Sequence, residues 1–172
     1  IGWIRNTKNW DKVKKIKDTK ALFLLSNYVL HLKMGVEESL RKLEPILKQK
    51  IAIKFPTWIG VEKFERYYKK NGISLYPSIF NSIDLMKLYD IILTNGMSSI
   101  NAESYLLGKT TINIYDESGF DENIKKLKNL LPNIIFIKNI FDLKIDRIKK
   151  QKRKSVLKPF NMHRAIELIT QN

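Results

Sequence analysis

The chain contains no cysteine in its 172 residues and only two histidines, His31 and His163. The absence of cysteine excludes a disulfide framework, thiolate zinc sites and cysteine nucleophiles, and it is typical of proteins from a reducing compartment. The two histidines lie far apart, and no spacing of His, Asp and Glu resembles a metal site. We therefore expect a cytoplasmic protein without a bound metal ion.

Long apolar runs and several familiar motifs are also missing. The longest runs, Ala21–Leu25 and Ile134–Ile137, are far shorter than the roughly 20 residues that span a bilayer, and no signal-peptide pattern opens the chain. Walker, Gly-x-Gly-x-x-Gly and Gly-x-Ser-x-Gly patterns are absent, which argues against P-loop, dinucleotide-binding and serine hydrolase functions. We expect no membrane crossing and no cofactor.

Acidic residues are scarce, with 17 Asp and Glu against 32 Lys and Arg, for a net charge of +15. This balance favours a polyanionic partner, which could be nucleic acid, an anionic membrane surface or a phosphorylated substrate. The alternative is that many lysines simply solvate polar helix faces. The densest basic run, Lys149–Lys158, indicates attraction to an anionic surface, and we expect peripheral binding at the inner face of a membrane.

What is present is enough apolar sequence for one folded domain, since 44% of the residues are hydrophobic. The chain begins with Ile1 rather than Met, so we expect it to be processed or to be part of a longer protein. Short apolar runs alternate with segments of helical periodicity. The predicted strands are Ala21–Ser26, Ile51–Phe55, Ile73–Tyr76, Asp90–Asn95, Thr111–Tyr115 and Asn133–Ile137. The predicted helices cover Val36–Leu47, Val61–Tyr68, Ile83–Leu88, Ile100–Leu107, Asp121–Leu131 and Met162–Thr170.

This alternation predicts an α/β fold, a Rossmann-like parallel sheet of about six strands with helices on both faces. Residues 1–20 are basic and weakly patterned, and we predict that they form a linker or arm before a domain of residues 21–172. In such sheets ligands bind outside the carboxyl ends of the strands, near the point where the strand order reverses.

The turn Gly96–Ser99 is the most informative stretch, because it joins a buried strand to a helix. A helix N-terminus presents backbone N–H groups and positive dipole charge to an anion. Gly96 allows close approach, and the hydroxyls of Ser98 and Ser99 add donors. Glu103 lies on roughly the same side of the helix and could accept both hydroxyls of a ribose. The alternatives are ordinary N-capping by serine and a favourable interaction of Glu103 with the helix dipole.

The block Asp90–Ile112 resembles the donor-site segment of GT-B fold proteins, including UDP-N-acetylglucosamine 2-epimerases and the peptidoglycan N-acetylglucosaminyltransferase. That resemblance implies that Ser98 and Ser99 contact the nucleotide phosphates and that Glu103 contacts the ribose. The block departs from the family pattern at Thr110, where proline is favoured, and at Met97 and Ser98, where a second glycine is common.

The resemblance also implies further ligand contacts around the carboxyl edge of the sheet. These are Tyr76 and Ile79 for the base, and Glu117 and Asp121 for the sugar. Ser26 and Asn27 follow the first strand on the same edge of the sheet, so they could also help hold the phosphates. An ordinary acidic helix start is the alternative for the two acids.

The function that these residues predict is nucleotide-sugar binding, as the C-terminal half of a GT-B glycosyltransferase of hexosyltransferase type or of a UDP-sugar epimerase. A UDP-type nucleotide-sugar is the expected substrate. The second Rossmann-like domain, in the same chain or in a partner, would supply the catalytic base, so no catalytic residue is assigned. Two alternatives stay open: a basic nucleic-acid-binding module and a structural, virion-type protein without catalysis. The aromatic candidates for base stacking are Trp3, Trp10, Trp58, Tyr67 and Tyr68.

Overall fold

The computed structural model describes residues 13–25, 38, 44, 48–57, 61–96, 98–115, 121–138 and 142–150. Residues 1–12 of the predicted arm and the predicted helix Met162–Thr170 lie outside this part of the chain. Of the predicted helix Val36–Leu47, only Glu38 and Glu44 are described, and both are helical.

Six strands form one parallel sheet in the order β3-β2-β1-β4-β5-β6. Their bounds are β1 Ala21–Leu24, β2 Ile51–Lys54, β3 Leu75–Tyr76, β4 Ile91–Asn95, β5 Thr110–Ile114 and β6 Ile135–Ile137. The central strand is β1, whose Ala21 is paired with Ile51 of β2 and with Ile91 of β4. Each strand lies within its predicted run or within one residue of it.

The described helices connect successive strands. They are α1 Val61–Lys70, α2 Ser82–Lys87, α3 Ser99–Leu106 and α4 Asp121–Leu130, with a 3-10 helix at Ile145–Arg147. After α1, the N–H of Ile73 donates to the carbonyl of Tyr68 and that of Gly72 donates to Lys69, with Gly72 at φ +72°. This Schellman C-cap engages the N–H of Ile73, which explains why β3 begins two residues later than predicted.

Both faces of the sheet are covered, as the unbroken apolar strands predicted. One face packs Ala21 and Phe23 of β1 against α1 through Tyr68, and against Ile145 of the 3-10 helix. The other face packs Leu22 and Leu24 against α2 and α3. Because alternate residues of β1 point to opposite faces, both sets are buried in the same short strand.

The segment Val13–Lys20 lies against the second face. Val13 and Ile16 pack on its core cluster, and the hydroxyl of Thr19 is 2.8 Å from that of Tyr89. Tyr89 in turn contacts the Tyr76 hydroxyl at 2.9 Å, and the N–H of Ile16 donates to Tyr76 at 2.9 Å. These contacts tie the segment to the sheet. The division of the chain at residue 20 stays a prediction.

Candidate functional site

The strand order reverses at β1, because the chain builds outward from it to β2 and β3 and then returns to its other side with β4. In doubly wound sheets the crevice between the carboxyl ends of two such strands is the usual binding site. The turn that follows β4 lies at this crevice. Its Gly96 adopts φ +59°, the left-handed region that favours glycine, and its N–H donates to Ile114 of β5. The predicted turn is therefore placed where ligands of this fold bind.

Ser98 is the N-cap of α3, and its hydroxyl accepts from the N–H of Ile100 at 3.3 Å. The N-capping role, given above as the alternative to phosphate binding, is thus present. The Ser98 hydroxyl proton is not used in this bond, so it remains a donor for another group. Ser99 is the first helical residue and is exposed at the positive end of the helix.

A buried polar cluster lies beneath the turn, formed by Thr94, Asn101 and Asn113, each fully buried. The Gly96 carbonyl accepts from Asn113 Nδ2 at 2.7 Å and from Asn101 Nδ2 at 3.1 Å. Asn101 Oδ1 accepts from the Thr94 hydroxyl at 2.5 Å and from Asn113 Nδ2 at 2.9 Å. We call these three residues the amide clamp, because two side-chain amides fix one carbonyl of the turn.

The amide clamp also orients the start of α3. Asn101 Nδ2 donates to the carbonyl of Ser98 at 3.0 Å, which draws that carbonyl toward the protein. In a trans peptide the following N–H lies opposite the carbonyl, so fixing the Ser98 carbonyl also fixes the direction of the Ser99 N–H. The clamp therefore holds a donor group ready at the helix N-terminus.

The clamp contains an unpaired polar atom. Asn113 Oδ1 is buried and has no hydrogen-bond partner among the described residues. Burying an unpaired polar atom lowers the free energy of unfolding by about 1–3 kcal/mol. Asn113 is therefore held in place by the hydrogen bonds of its Nδ2 group, since its Oδ1 makes none with the described residues. A second polar contact between α3 and β5, from Ser104 to Thr111 at 2.7 Å, lies outside the clamp.

Glu103 lies one turn beyond Ser99 on α3 and is partly buried. Its carboxylate makes no hydrogen bond or ion pair with another described residue. Residues four positions apart share a helix face, so Glu103 lies on the same side of α3 as Ser99.

The other residues predicted to contact the ligand either lie farther from the turn Gly96–Ser99 or fall outside the described residues. Tyr76 is 3% exposed and its hydroxyl is bonded in the core, whereas Ile79 in the loop after β3 is 70% exposed. Strand β3 lies three strands from β4, roughly 14 Å at normal strand spacing, so neither residue adjoins the turn. Ser26, Asn27 and Glu117 lie outside the described residues, as does the side chain of Asp121, the first residue of α4. Their roles stay predictions.

Sequence reasoning missed the amide clamp and the buried Lys54. Lys54 ends β2, is 5% exposed, and donates to the carbonyl of Phe55 at 3.0 Å. The available signal was a polar residue inside an apolar run, Asn113 in the fifth predicted strand and Lys54 in the second. Among the stacking candidates, Tyr68 is a core residue and Tyr67 is exposed, while Trp3, Trp10 and Trp58 lie outside the described residues.

The part of the chain that the structure describes contains no group of three or more His, Asp or Glu side chains that could hold a metal ion. Within the same residues, no helix has the length and hydrophobicity needed to cross a membrane.

The order 3-2-1-4-5-6, with all strands parallel and helices on both faces, defines a Rossmann-like α/β fold and confirms the predicted class. No protein-family model matches the chain, and no curated protein matches it. Among solved structures, the NMR solution structure of ALG13 is similar over 88% of this chain and 95% of that one, with 13% sequence identity and a TM-score of 0.49.

Proposed function

We propose that this chain is the nucleotide-sugar-binding domain of a GT-B-type glycosyltransferase or sugar epimerase, with the donor diphosphate held at Gly96–Ser99. The observation that supports this most directly is the amide clamp. Two buried asparagines fix the Gly96 carbonyl, and one of them also holds the Ser98 carbonyl, so the start of α3 is rigid. A rigid helix N-terminus at the crevice between β1 and β4 suits an anion, because its donors need no reorganisation on binding.

Glu103 extends the site from phosphate to nucleoside. A partly buried carboxylate without a described partner is an acceptor for two vicinal hydroxyls, and a ribose next to a diphosphate offers such a pair. A simple phosphate site would have no use for a negative charge one turn from its donors. The combination therefore favours a UDP-type nucleotide over inorganic phosphate.

The other parts of the proposed site come from the resemblance to GT-B proteins. The end of β3 at Tyr76 and the following loop with Ile79 would face the base. Ser26 and Asn27 would adjoin the phosphates, and Glu117 and Asp121 would adjoin the sugar. In this arrangement Ile79 supplies an exposed apolar contact, whereas Tyr76 shapes the loop from inside the core.

Calorimetric titration with UDP, UDP-N-acetylglucosamine, AMP and inorganic diphosphate tests the proposal. The decisive variant is Glu103→Gln, and its matched control is Glu62→Gln, which removes an exposed carboxylate from α1. Loss of a hydrogen bond to a charged group costs about 1.5–3 kcal/mol, so Glu103→Gln should weaken UDP binding about tenfold or more and leave diphosphate binding nearly unchanged. The control should bind both ligands as the native chain does.

Two results would contradict the proposal. If none of the nucleotides binds below millimolar concentration, the turn is not a nucleotide site. If Glu103→Gln weakens UDP and diphosphate equally, Glu103 has a structural role and the ribose assignment is wrong.

A further inference from the structure

The sheet register places three lysines and one aspartate side by side at the amino edge, opposite the proposed nucleotide site. Ala21 pairs with Ile51 and Ile91, and Ile91 pairs with Thr110. The residues just before these positions are therefore neighbours, in the order Lys50, Lys20, Asp90 and Lys109. We call this set the amino-edge row, and it spans about 14 Å across four strands.

Further lysines surround the row. Lys150 donates to Asp90 at 2.6 Å, and this bond lowers the pKa of the Asp90 carboxyl, helped by the charges of Lys109 and Lys15. Asp146 pairs with Lys20, and Lys50 also acts on it. Two carboxylates thus lie among five lysines, so the local charge is strongly positive even after pairing.

One lysine of the row is in an unfavourable backbone conformation. Lys50 has φ +64°, where glycine or asparagine is the less strained choice. Asp18 also has positive φ, in the turn before β1. A lysine at such a position presents its ammonium group at the edge of the sheet despite the local strain, which indicates a use for the charge.

Exposed apolar side chains flank the lysines. Helices α1 and α4 both end at the amino edge, because each leads into the next parallel strand. Leu130, the last residue of α4, is 75% exposed, and Tyr67 near the end of α1 is 43% exposed. Leu130 lies beside β6 and Tyr67 lies beside β3, at opposite ends of the sheet. The lysines therefore lie between two exposed side chains of kinds that enter a lipid interface readily.

We infer that the amino edge of the sheet is a docking surface for an anionic membrane. Lysines spread along an edge match a plane of lipid headgroups, and the exposed Leu130 adds an apolar contact that nucleic acid would not require. Nucleic-acid surfaces rely on arginine forks and stacked aromatic rings. The five cations that act on Asp90 and Asp146 are all lysines, and the Tyr89 ring beneath Lys15 is buried.

This docking would leave the proposed nucleotide site open. The turn after β4 is at the carboxyl edge, one strand length of roughly 16 Å from the amino edge. The inference does not depend on nucleotide binding, so either proposal can fail while the other holds.

Flotation with vesicles of phosphatidylcholine, with and without phosphatidylglycerol, tests the inference on the full chain. The test variant Lys20→Gln/Lys50→Gln/Lys109→Gln removes the cations of the row. Its control, Lys125→Gln/Lys126→Gln/Lys138→Gln, makes the same change of net charge on α4 and after β6. Each lysine near an anionic surface contributes about fivefold in affinity, so the test variant should bind roughly a hundredfold more weakly and the control should be much less affected.

A second variant guards against loss of folding in the first. Asp90→Asn/Asp146→Asn leaves all lysines in place and removes the competing acids, so it should bind anionic vesicles several-fold more tightly. Equal weakening by the two triple variants, or no tightening by the double variant, would overturn the inference.

Two other outcomes assign the charge elsewhere. Loss of vesicle binding only when Lys152, Arg153 and Lys154 are changed to glutamine would place the interaction in the basic run instead of the sheet edge. Binding of single-stranded RNA in preference to vesicles, abolished by the test variant, would make the edge a nucleic-acid surface. Either result refutes the membrane assignment.

Discussion

Asn113 lies inside a buried strand, where an apolar side chain would fill the same space without needing partners. Its amide instead donates to the carbonyl of Gly96 and to Asn101, and its own Oδ1 has no described partner. An unsatisfied group next to a candidate site is a common mark of a residue selected for function over stability.

Replacing Asn113 by valine separates its effect on stability from its effect on ligand binding. We expect the free energy of unfolding in urea to fall by about 1–2 kcal/mol, because lost bonds outweigh removal of the unpaired oxygen. UDP affinity should fall about tenfold as the turn loosens. Thr111→Val on the same strand is the control: it breaks the bond to Ser104 and should cost similar stability with UDP affinity unchanged. Equal UDP affinities in the two variants would show that the amide clamp plays no part in ligand binding.

Two buried tyrosines make stability sensitive to alkaline pH. Burial raises the pKa of Tyr68 and, together with the hydrogen bond to Tyr89, that of Tyr76. Both groups are therefore held neutral in the folded protein, whereas in the unfolded chain they ionise near the usual value of about 10. Their contribution is complete below that pH and is lost as the pH rises through the folded values.

We expect unfolding above pH ~10, with two tyrosines ionising only as the circular dichroism signal is lost. Absorbance titration of tyrosinate measures this directly. Tyr76→Phe should reduce the slope of the free energy of unfolding against pH, in this alkaline range, by the equivalent of about one bound proton. Ionisation of all tyrosines before unfolding would show that neither ring is held in the core.

At the scale of elements, the ends of the helices depend on left-handed residues. Gly72 forms the C-cap of α1 at φ +72°, with open space where a Cβ would lie. Lys50 has a similar φ before β2 without being glycine. Because only glycine adopts a positive φ without strain, a side chain added at Gly72 and one removed at Lys50 should change stability in opposite directions.

Gly72→Ala should lower the free energy of unfolding by about 1 kcal/mol, because the new methyl group meets no neighbour and only backbone strain opposes it. Lys50→Gly should raise it by a similar amount. Thermal unfolding of both variants checks the pair. A destabilised Lys50→Gly would mean that the lysine side chain itself stabilises the edge.

The elements were largely predictable, and the contacts between them were not. Short apolar runs identified the six strands that the structure describes, and the turn Gly96–Ser99 with Glu103 was singled out from local chemistry. The amide clamp joins Asn101 of a helix to Asn113 of the next strand, so it requires knowledge of how α3 packs on the sheet. The amino-edge row requires the pairing of β1 with β4, which no local pattern specifies. Tyr76 was assigned to a ligand because its place at the carboxyl end of a strand is visible in sequence and the direction of its ring is not.

At the scale of the whole molecule, the proposed function would make this chain one half of a reaction centre. A single Rossmann-like domain leaves a bound nucleotide-sugar exposed to water and the acceptor unplaced, which forfeits the roughly 7–11 kcal/mol that positioning can contribute. We expect the purified chain to bind UDP-N-acetylglucosamine without releasing UDP or epimerising the sugar, as followed by NMR. Robust turnover without a partner would require a base within this chain, and His31, Glu117 and Asp121 would be the first to replace.

The central position of β1 also governs how the chain reaches its native state. Ile91 and Thr110 are brought together by closing a short loop through α3, whereas Ala21 and Ile91 are joined only across a much longer stretch of chain. Since the entropic cost of closure grows with loop length, the unit β4-α3-β5 should fold early and β1 should be inserted late. Until then β2 and β4 have unpaired edges, so the refolding protein is most prone to aggregate before β1 docks. In refolding kinetics, Ile112→Val should slow folding, and Leu22→Ala should chiefly accelerate unfolding.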